Sequence, residues 1–144
     1  MDQPEQYVIS TDPERLDLEW VHRVLSTDTY WATGRSRERS DRAVANSLCY
    51  GVYHHSGRQA GIARVITDAV SFAWLCDVYI DRDARGEGLG KRLVGHVIDD
   101  LDRIGLRRVL LATQGAEELY RRFGFAETDG DDSTWMAKRW PDRT

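Results

Sequence analysis

Apolar positions recur every three to four residues from Leu89 to Ile104, at Leu89, Leu93, Val94, Val97, Ile98, Leu101 and Ile104. That stripe predicts a one-sided helix over residues 88–103. Leu16, Leu18, Trp20, Val21, Val24 and Leu25 mark an earlier helix, with Thr11 or Asp12 as its cap and Pro13 in its first turn. Ser36 to Arg39 opens another, with Ala43, Val44 and Ser47 on a small apolar face, and residues 26–34 form the loop between them. Short apolar runs bounded by turn residues read as strands at Gln6–Ser10, Leu48–Tyr53, Gln59–Thr67, Phe72–Ile80 and Arg107–Thr113. His54–Arg58 turns the second run into the third, and Thr67–Ser71 turns the third into the fourth. A short helix at 115–123 and two terminal strands near 125–128 and 133–139, joined by Gly130-Asp131-Asp132, complete the order βααβββαβαββ. This is a mixed, twisted α/β sheet with flanking helices. No repeat, linker or low-complexity tract interrupts it, so residues 1–144 read as one domain.

Between the strand at 72–80 and the helix at 88–103 lies Arg85-Gly86-Glu87-Gly88-Leu89-Gly90-Lys91. Glycines let the backbone turn sharply and approach a ligand. The first amides of the following helix lack carbonyl partners and sit at the positive end of its dipole, which suits a phosphate or pyrophosphate. The strand–helix–strand unit should be parallel and right-handed, so this loop falls at the C-terminal edge of its strand. Other phosphate loops fail on spacing. A Walker A loop would need glycine at Arg85 and a hydroxyl at Arg92, and a dinucleotide fingerprint would need glycine at Lys91.

A second pattern lies one helix and one strand downstream: Ala116, Tyr120 four residues on, then Gly124-Phe125. With Arg-x-x-Gly-x-Gly after an apolar strand, this order and spacing resembles the GCN5-related N-acetyltransferase (GNAT) superfamily over residues 72–128. The resemblance implies a fold in which the two parallel strands splay apart and the pantetheine arm of acetyl-CoA lies in the gap. It implies cofactor contacts from the backbone of Val78, Tyr79 and Ile80, and pyrophosphate contacts from the loop Arg85, Gly86, Glu87, Gly88, Leu89, Gly90 and Lys91. Thr113 stands where the family often has asparagine, and its shorter side chain would still hydrogen-bond the cofactor. Lys91 and Arg92 could also touch the adenosine 3′-phosphate, but solvated helix charges are the plainer reading.

Acetyl transfer to an amine needs a neutral nucleophile, a donor for the developing oxyanion and a proton for the leaving thiolate. The resemblance implies that Tyr120 gives that proton; a packed core tyrosine is the plainer reading. Asp77, a carboxylate in an apolar strand, must find water, a partner or a substrate ammonium. Strand alternation aims it away from Val78 and Ile80. It reads equally as base or amine anchor and as a structural acceptor. Tyr30, Trp31 and Arg35 in the loop between the first two helices are candidates for acceptor recognition, with Arg64 a weaker one. An acidic group under an aromatic lid would suit a small cationic amine.

Composition adds exclusions. A formal net charge of −4 does not indicate a nucleic-acid or anionic-membrane surface. Cys49 and Cys76 lie inside apolar runs and read as buried thiols. His22, His54, His55 and His96 show no metal-ligand spacing, so no metal is expected. Met1–Glu5 has no signal-peptide pattern and no run approaches a membrane span, so the expected location is cytoplasmic. The expected activity is acetyl-CoA-dependent N-acetylation of a small-molecule amine, with a homodimer left open. Protein N-terminal or lysine acetylation, or acyl-CoA binding without turnover, are the alternatives.

Overall fold

Among the described residues five strands form one sheet in chain order: β1 (Tyr7–Ser10), β2 (Leu48–His54), β3 (Gln59–Thr67), β4 (Phe72–Ile80) and β5 (Arg108–Leu110). The computed structural model describes residues 6–128 and 133–144. Strands β1 to β4 are antiparallel, and β5 is parallel to β4. The helices are α1 (Leu18–Thr27), α2 (Arg37–Ala45), α3 (Leu89–Ile104), which crosses from β4 to β5, and α4 (Glu117–Arg121).

The sheet has a core on each face. On one, α3 buries Leu89, Leu93, Val94, Val97 and Leu101 against Val52, Val65, Ala73 and Leu75. Burying five such side chains is worth on the order of 10 kcal/mol, an upper estimate, which anchors the helix and hence its N-terminus. On the other, Trp20, Val21, Val24 and Leu25 of α1 and Val44 of α2 cover Cys49, Ile62 and Tyr79.

Strand β4 changes phase partway along. Ile62 pairs with Tyr79 and Arg64 with Cys76, so Ala63 alone stands opposite Asp77 and Val78. This is a β-bulge, with Asp77 in the left-handed region at φ 50°. Because one extra residue flips the alternation, Ala73 and Leu75 before the bulge and Val78 and Ile80 after it all pack on the α3 side. Tyr79 packs on the α1 side. Strand β5 pairs with β4 only at Phe72, Ala73 and Trp74. Beyond them the strands part, and the gap opens beside residues 75–80.

Three expectations are corrected. Asp12 caps only a single 3₁₀ turn, Pro13–Arg15. The helix proper starts after Asp17, whose carboxylate accepts from Trp20 N and whose own N–H donates to Gln59 Oε1 at 2.8 Å. This cap, tied to the sheet, outcompetes the earlier one. The strand expected over 107–113 contracts to three residues, Arg108–Leu110, because the chain leaves β4 there. No strand forms over 125–128 or 133–139 among the described residues, and Gly130-Asp131-Asp132 lies outside them. Trp135 and Met136 are adjacent rather than alternating, both are exposed, and β5 presents too short a ladder to recruit them.

Candidate active site

The cleft is built where β4 loses β5. Along one wall run Leu75, Cys76, Asp77 and Val78; along the other run Leu111 to Gln114, then Ala116 and Tyr120. Two cavities meet there. One, of about 570 Å³, also takes in Tyr30, Trp31, Arg35, Arg64 and Arg139. The other, of about 870 Å³, runs along Tyr79 and Ile80 to the loop at Arg85, Gly86, Gly88, Leu89 and Gly90. Tyr30, Trp31, Val78, Ala116 and Tyr120 line both, so they mark the junction. Glu87 and Lys91 line neither; Lys91 is exposed on the first turn of α3.

The glycine loop owes its shape to backbone conformation. Gly86 and Gly88 have φ of 86° and 81°. A Cβ at either would meet no atom within 4 Å, so glycine is required there for torsion, not for space inside the fold. Gly88 caps α3 without a side-chain hydrogen bond, and the first turn of the helix carries no acidic residue. The amides at this end remain available to an anion, at the positive pole of a 16-residue helix. The Leu89 side chain is core, so only its backbone faces the loop.

Asp28, to which no sequence motif pointed, organises the same end. It accepts from Tyr79 Oη at 2.6 Å and from Arg82 Nε at 2.8 Å, and Arg85 Nη2 lies 3.8 Å from it. The Arg82 hydrogen bonds, then that of Tyr79, hold its carboxyl well below the usual range. Burial, with the Asp28 charge added, pushes the Tyr79 hydroxyl up to about 12. Arg85 donates from Nε to Ile80 O at 2.8 Å and stacks 5.2 Å from the Tyr79 ring. Its guanidinium is thus placed at the loop mouth.

In the smaller cavity Asp77 is the hub. Its carboxylate accepts from Trp31 Nε1 at 2.8 Å, Arg35 Nη1 at 2.9 Å and Arg64 Nε at 2.8 Å, with Arg35 Nη2 at 3.4 Å. Burial would raise the Asp77 carboxyl, but the hydrogen bond and charge of Arg35, with the charge of Arg64, hold it below the ordinary carboxylate value. Such a group takes up a proton poorly, and its lone pairs are occupied. The geometry favours Asp77 as a structural acceptor over base or ammonium anchor. Arg64 also donates to Ser47 Oγ at 3.0 Å. His22 Nε2 donates to Arg35 O at 2.9 Å and so fixes the Arg35 backbone, a role that sequence reasoning missed.

Tyr30 and Trp31 form an edge-to-face pair with centroids 5.0 Å apart and are 58% and 43% exposed, a roof over the junction. Tyr120 is 8% exposed, and its ring meets Phe125 edge-on at 5.8 Å. Burial, with Tyr30 nearby, raises its hydroxyl above the ordinary tyrosine value, so it is a neutral donor near pH 7. Cys49 and Cys76 are free thiols. No helix among the described residues is long and apolar enough to cross a membrane.

The sequence matches the acetyltransferase (GNAT) family over residues 14–125. A "Putative acetyltransferase" of Gibberella zeae is 30% identical over 133 residues, covering 79% of this chain and 75% of that protein. The crystal structure of a "putative acetyltransferase belonging to the gnat family" from Xanthomonas campestris pv. campestris superposes with a TM-score of 0.83 at 38% identity, covering 94% of this chain and 96% of that one. Rv2747 of Mycobacterium tuberculosis, solved in complex with CoA and NLQ, shares the fold with a TM-score of 0.68 at 19% identity, over 88% and 76% of the two chains.

Proposed function

The chain belongs to the GNAT acetyltransferase family and is an acyltransferase, and from that premise we propose that it acts as one domain to move the acetyl group of acetyl-CoA to the amine of a small molecule, both bound at once. The carrying observation is that Tyr120 lines both cavities at their junction. A group there can serve a reaction between ligands entering from the two sides.

The residues fit the cofactor. An uncapped helix N-terminus, two left-handed glycines with open space beside them and the Arg85 guanidinium together match a pyrophosphate. The edge of β4 at Val78, Tyr79 and Ile80, without a β5 partner, offers backbone donors and acceptors to an amide-bearing arm. Thr113 lines the smaller cavity across from Val78. Acetyl-CoA supplies an activated acetyl thioester. Backbone N–H groups near the bulge at Asp77 and Val78 polarise the carbonyl. Tyr120 gives its proton to the departing sulfur. Asp77 does not take the proton of the amine; it sets Arg35, Arg64 and Trp31 in place. The amine therefore attacks in its neutral form, after losing its first proton to water; the second, shed from nitrogen as the amide forms, passes through water and restores the Tyr120 hydroxyl. A cavity of about 570 Å³ suits a small molecule.

The test is release of free CoA across a panel of small amines. Turnover with at least one supports the proposal. Tight acetyl-CoA binding with no acceptor among small amines, N-terminal peptides and lysine peptides would leave a non-catalytic binding module.

A further inference from the structure

The charge of the smaller cavity is opposite in sign to that of the chain. The protein carries a formal −4, yet among the described residues the cavity is lined by Arg35, Arg64 and Arg139 against the single carboxylate of Asp77. Arg35 and Arg64 are largely buried, with side chains 16% and 12% exposed, and both lean on the same carboxylate. One buried negative charge cannot neutralise two buried positive ones. The neighbouring thiols do not help: Cys49 and Cys76 pair with Arg64 in register on either side, and burial pushes both up to about 11, so they stay neutral. Nor does the expected pyrophosphate help, because no residue of the glycine loop lines this cavity, and none of these three arginines lines the other.

The guanidiniums also keep donors in hand. Arg64 spends Nε on Asp77 and Nη1 on Ser47 Oγ, and its Nη2 makes no hydrogen bond among the described residues. A buried cation with spare N–H groups, facing an open cavity, is costly unless an anion joins it. A guanidinium's planar fork matches a carboxylate.

We propose that the acceptor is an amine carrying a carboxylate, an amino acid or a close relative, whose acid group binds Arg64 and Arg35 while its amine faces Val78 and Tyr120. This rests on the acetyltransfer reading above and replaces the cationic amine expected from Asp77 under the aromatic lid of Tyr30 and Trp31. The buried arginine–arginine–aspartate set carries one net positive charge, which one carboxylate balances. Arg139, at the exposed rim, attracts the acid group on entry.

Matched acceptors test it: α-, β- and γ-amino acids, their primary amides, the corresponding plain amines and amine phosphomonoesters, each assayed with acetyl-CoA. The expected result is that the best carboxylate exceeds its amide in kcat/KM by roughly ten- to hundred-fold, the gain of charge-assisted hydrogen bonds, with KM carrying the difference. Arg139→Gln, at the exposed rim, should raise KM for acids more than for amides; Arg64→Lys should shrink the preference while acetyl-CoA affinity stays at the wild-type value. Equal use of acids and amides overturns the proposal, as does a phosphomonoester that outperforms every carboxylate. Should no amine be acetylated, the acetyltransfer reading fails by itself. Calorimetry with N-acetyl amino acids against their amides then decides this one: tighter binding of the acids, weakened by Arg64→Lys, supports it, and equal binding overturns it.

Discussion

Trp31 donates its indole N–H to Asp77 at 2.8 Å, a bond between the half-exposed roof of the cleft and a carboxylate in its buried floor. The contact joins residues 46 positions apart. It makes the loop between α1 and α2 part of the sheet's architecture, not a free lid. Arg35, from the same loop, grips the other oxygen. The roof therefore depends on Asp77 being ionised and correctly turned, which its left-handed backbone at the bulge provides.

Trp31→Phe removes the donor and keeps most of the ring. Losing one charge-assisted hydrogen bond of about 1.5–3 kcal/mol should loosen the roof. KM for the acceptor should rise at least several-fold, with a smaller change in acetyl-CoA affinity. Steady-state kinetics with each substrate varied in turn checks this.

Asp77→Asn leaves two guanidiniums without a counter-charge, and breaking a buried pair of this kind costs about 3–5 kcal/mol. Chemical denaturation should show it at neutral pH. The sign with pH follows from the lowered carboxyl. Its stabilisation is fully present above the unfolded value near 3.9, and is lost as pH falls through the lower folded value. The wild type should therefore show an acid-side loss of stability that is reduced in Asp77→Asn.

Much of this was legible in the chain and some was not. The α3 stripe and the glycine loop could be read because a helix's period and a left-handed glycine each have a residue-level signature. The bulge had none: Asp77 is a non-glycine residue at positive φ, and a strand of nearly continuous apolar residues hides a change of phase. Simple alternation still places Asp77 opposite Val78, but it would set Leu75 on the Asp77 side, whereas Leu75 packs with Val78 against α3. Asp77 meeting both Arg35 and Arg64 was equally out of reach, since the partners lie 42 and 13 residues away with no shared motif. Asp28 lay in the expected loop over residues 26–34, with no motif to single it out.

Gly88→Ala should test the loop by torsion alone, since a Cβ there clashes with nothing in the protein. Holding alanine at φ 81° costs roughly 1–2 kcal/mol. The N-terminus of α3 should relax away from its set position. Calorimetry with CoA should show weaker binding, by roughly ten-fold if that strain is relieved only in the free protein; Gly88→Val adds a branched side chain at the mouth and should be weaker still.

Tyr120→Phe keeps the edge-on ring against Phe125 and removes only the hydroxyl. Acetyl-CoA binding should persist while kcat falls by roughly ten- to ten-thousand-fold if proton delivery to sulfur is lost. The pH profile separates this from a packing effect. With Asp77 poorly basic, the rate in the wild type should rise with pH as the acceptor amine loses its proton. Because burial raises the Tyr120 hydroxyl, the proton-donating form should last beyond pH 10, about the ordinary tyrosine value, before the rate declines. In Tyr120→Phe the same rise should remain, set by the amine, and the alkaline decline should vanish. Single-turnover measurements of acetyl transfer across pH, with chemistry isolated from product release, would read both limbs. Wild-type rates in the variant would return Tyr120 to a purely structural place beside Phe125.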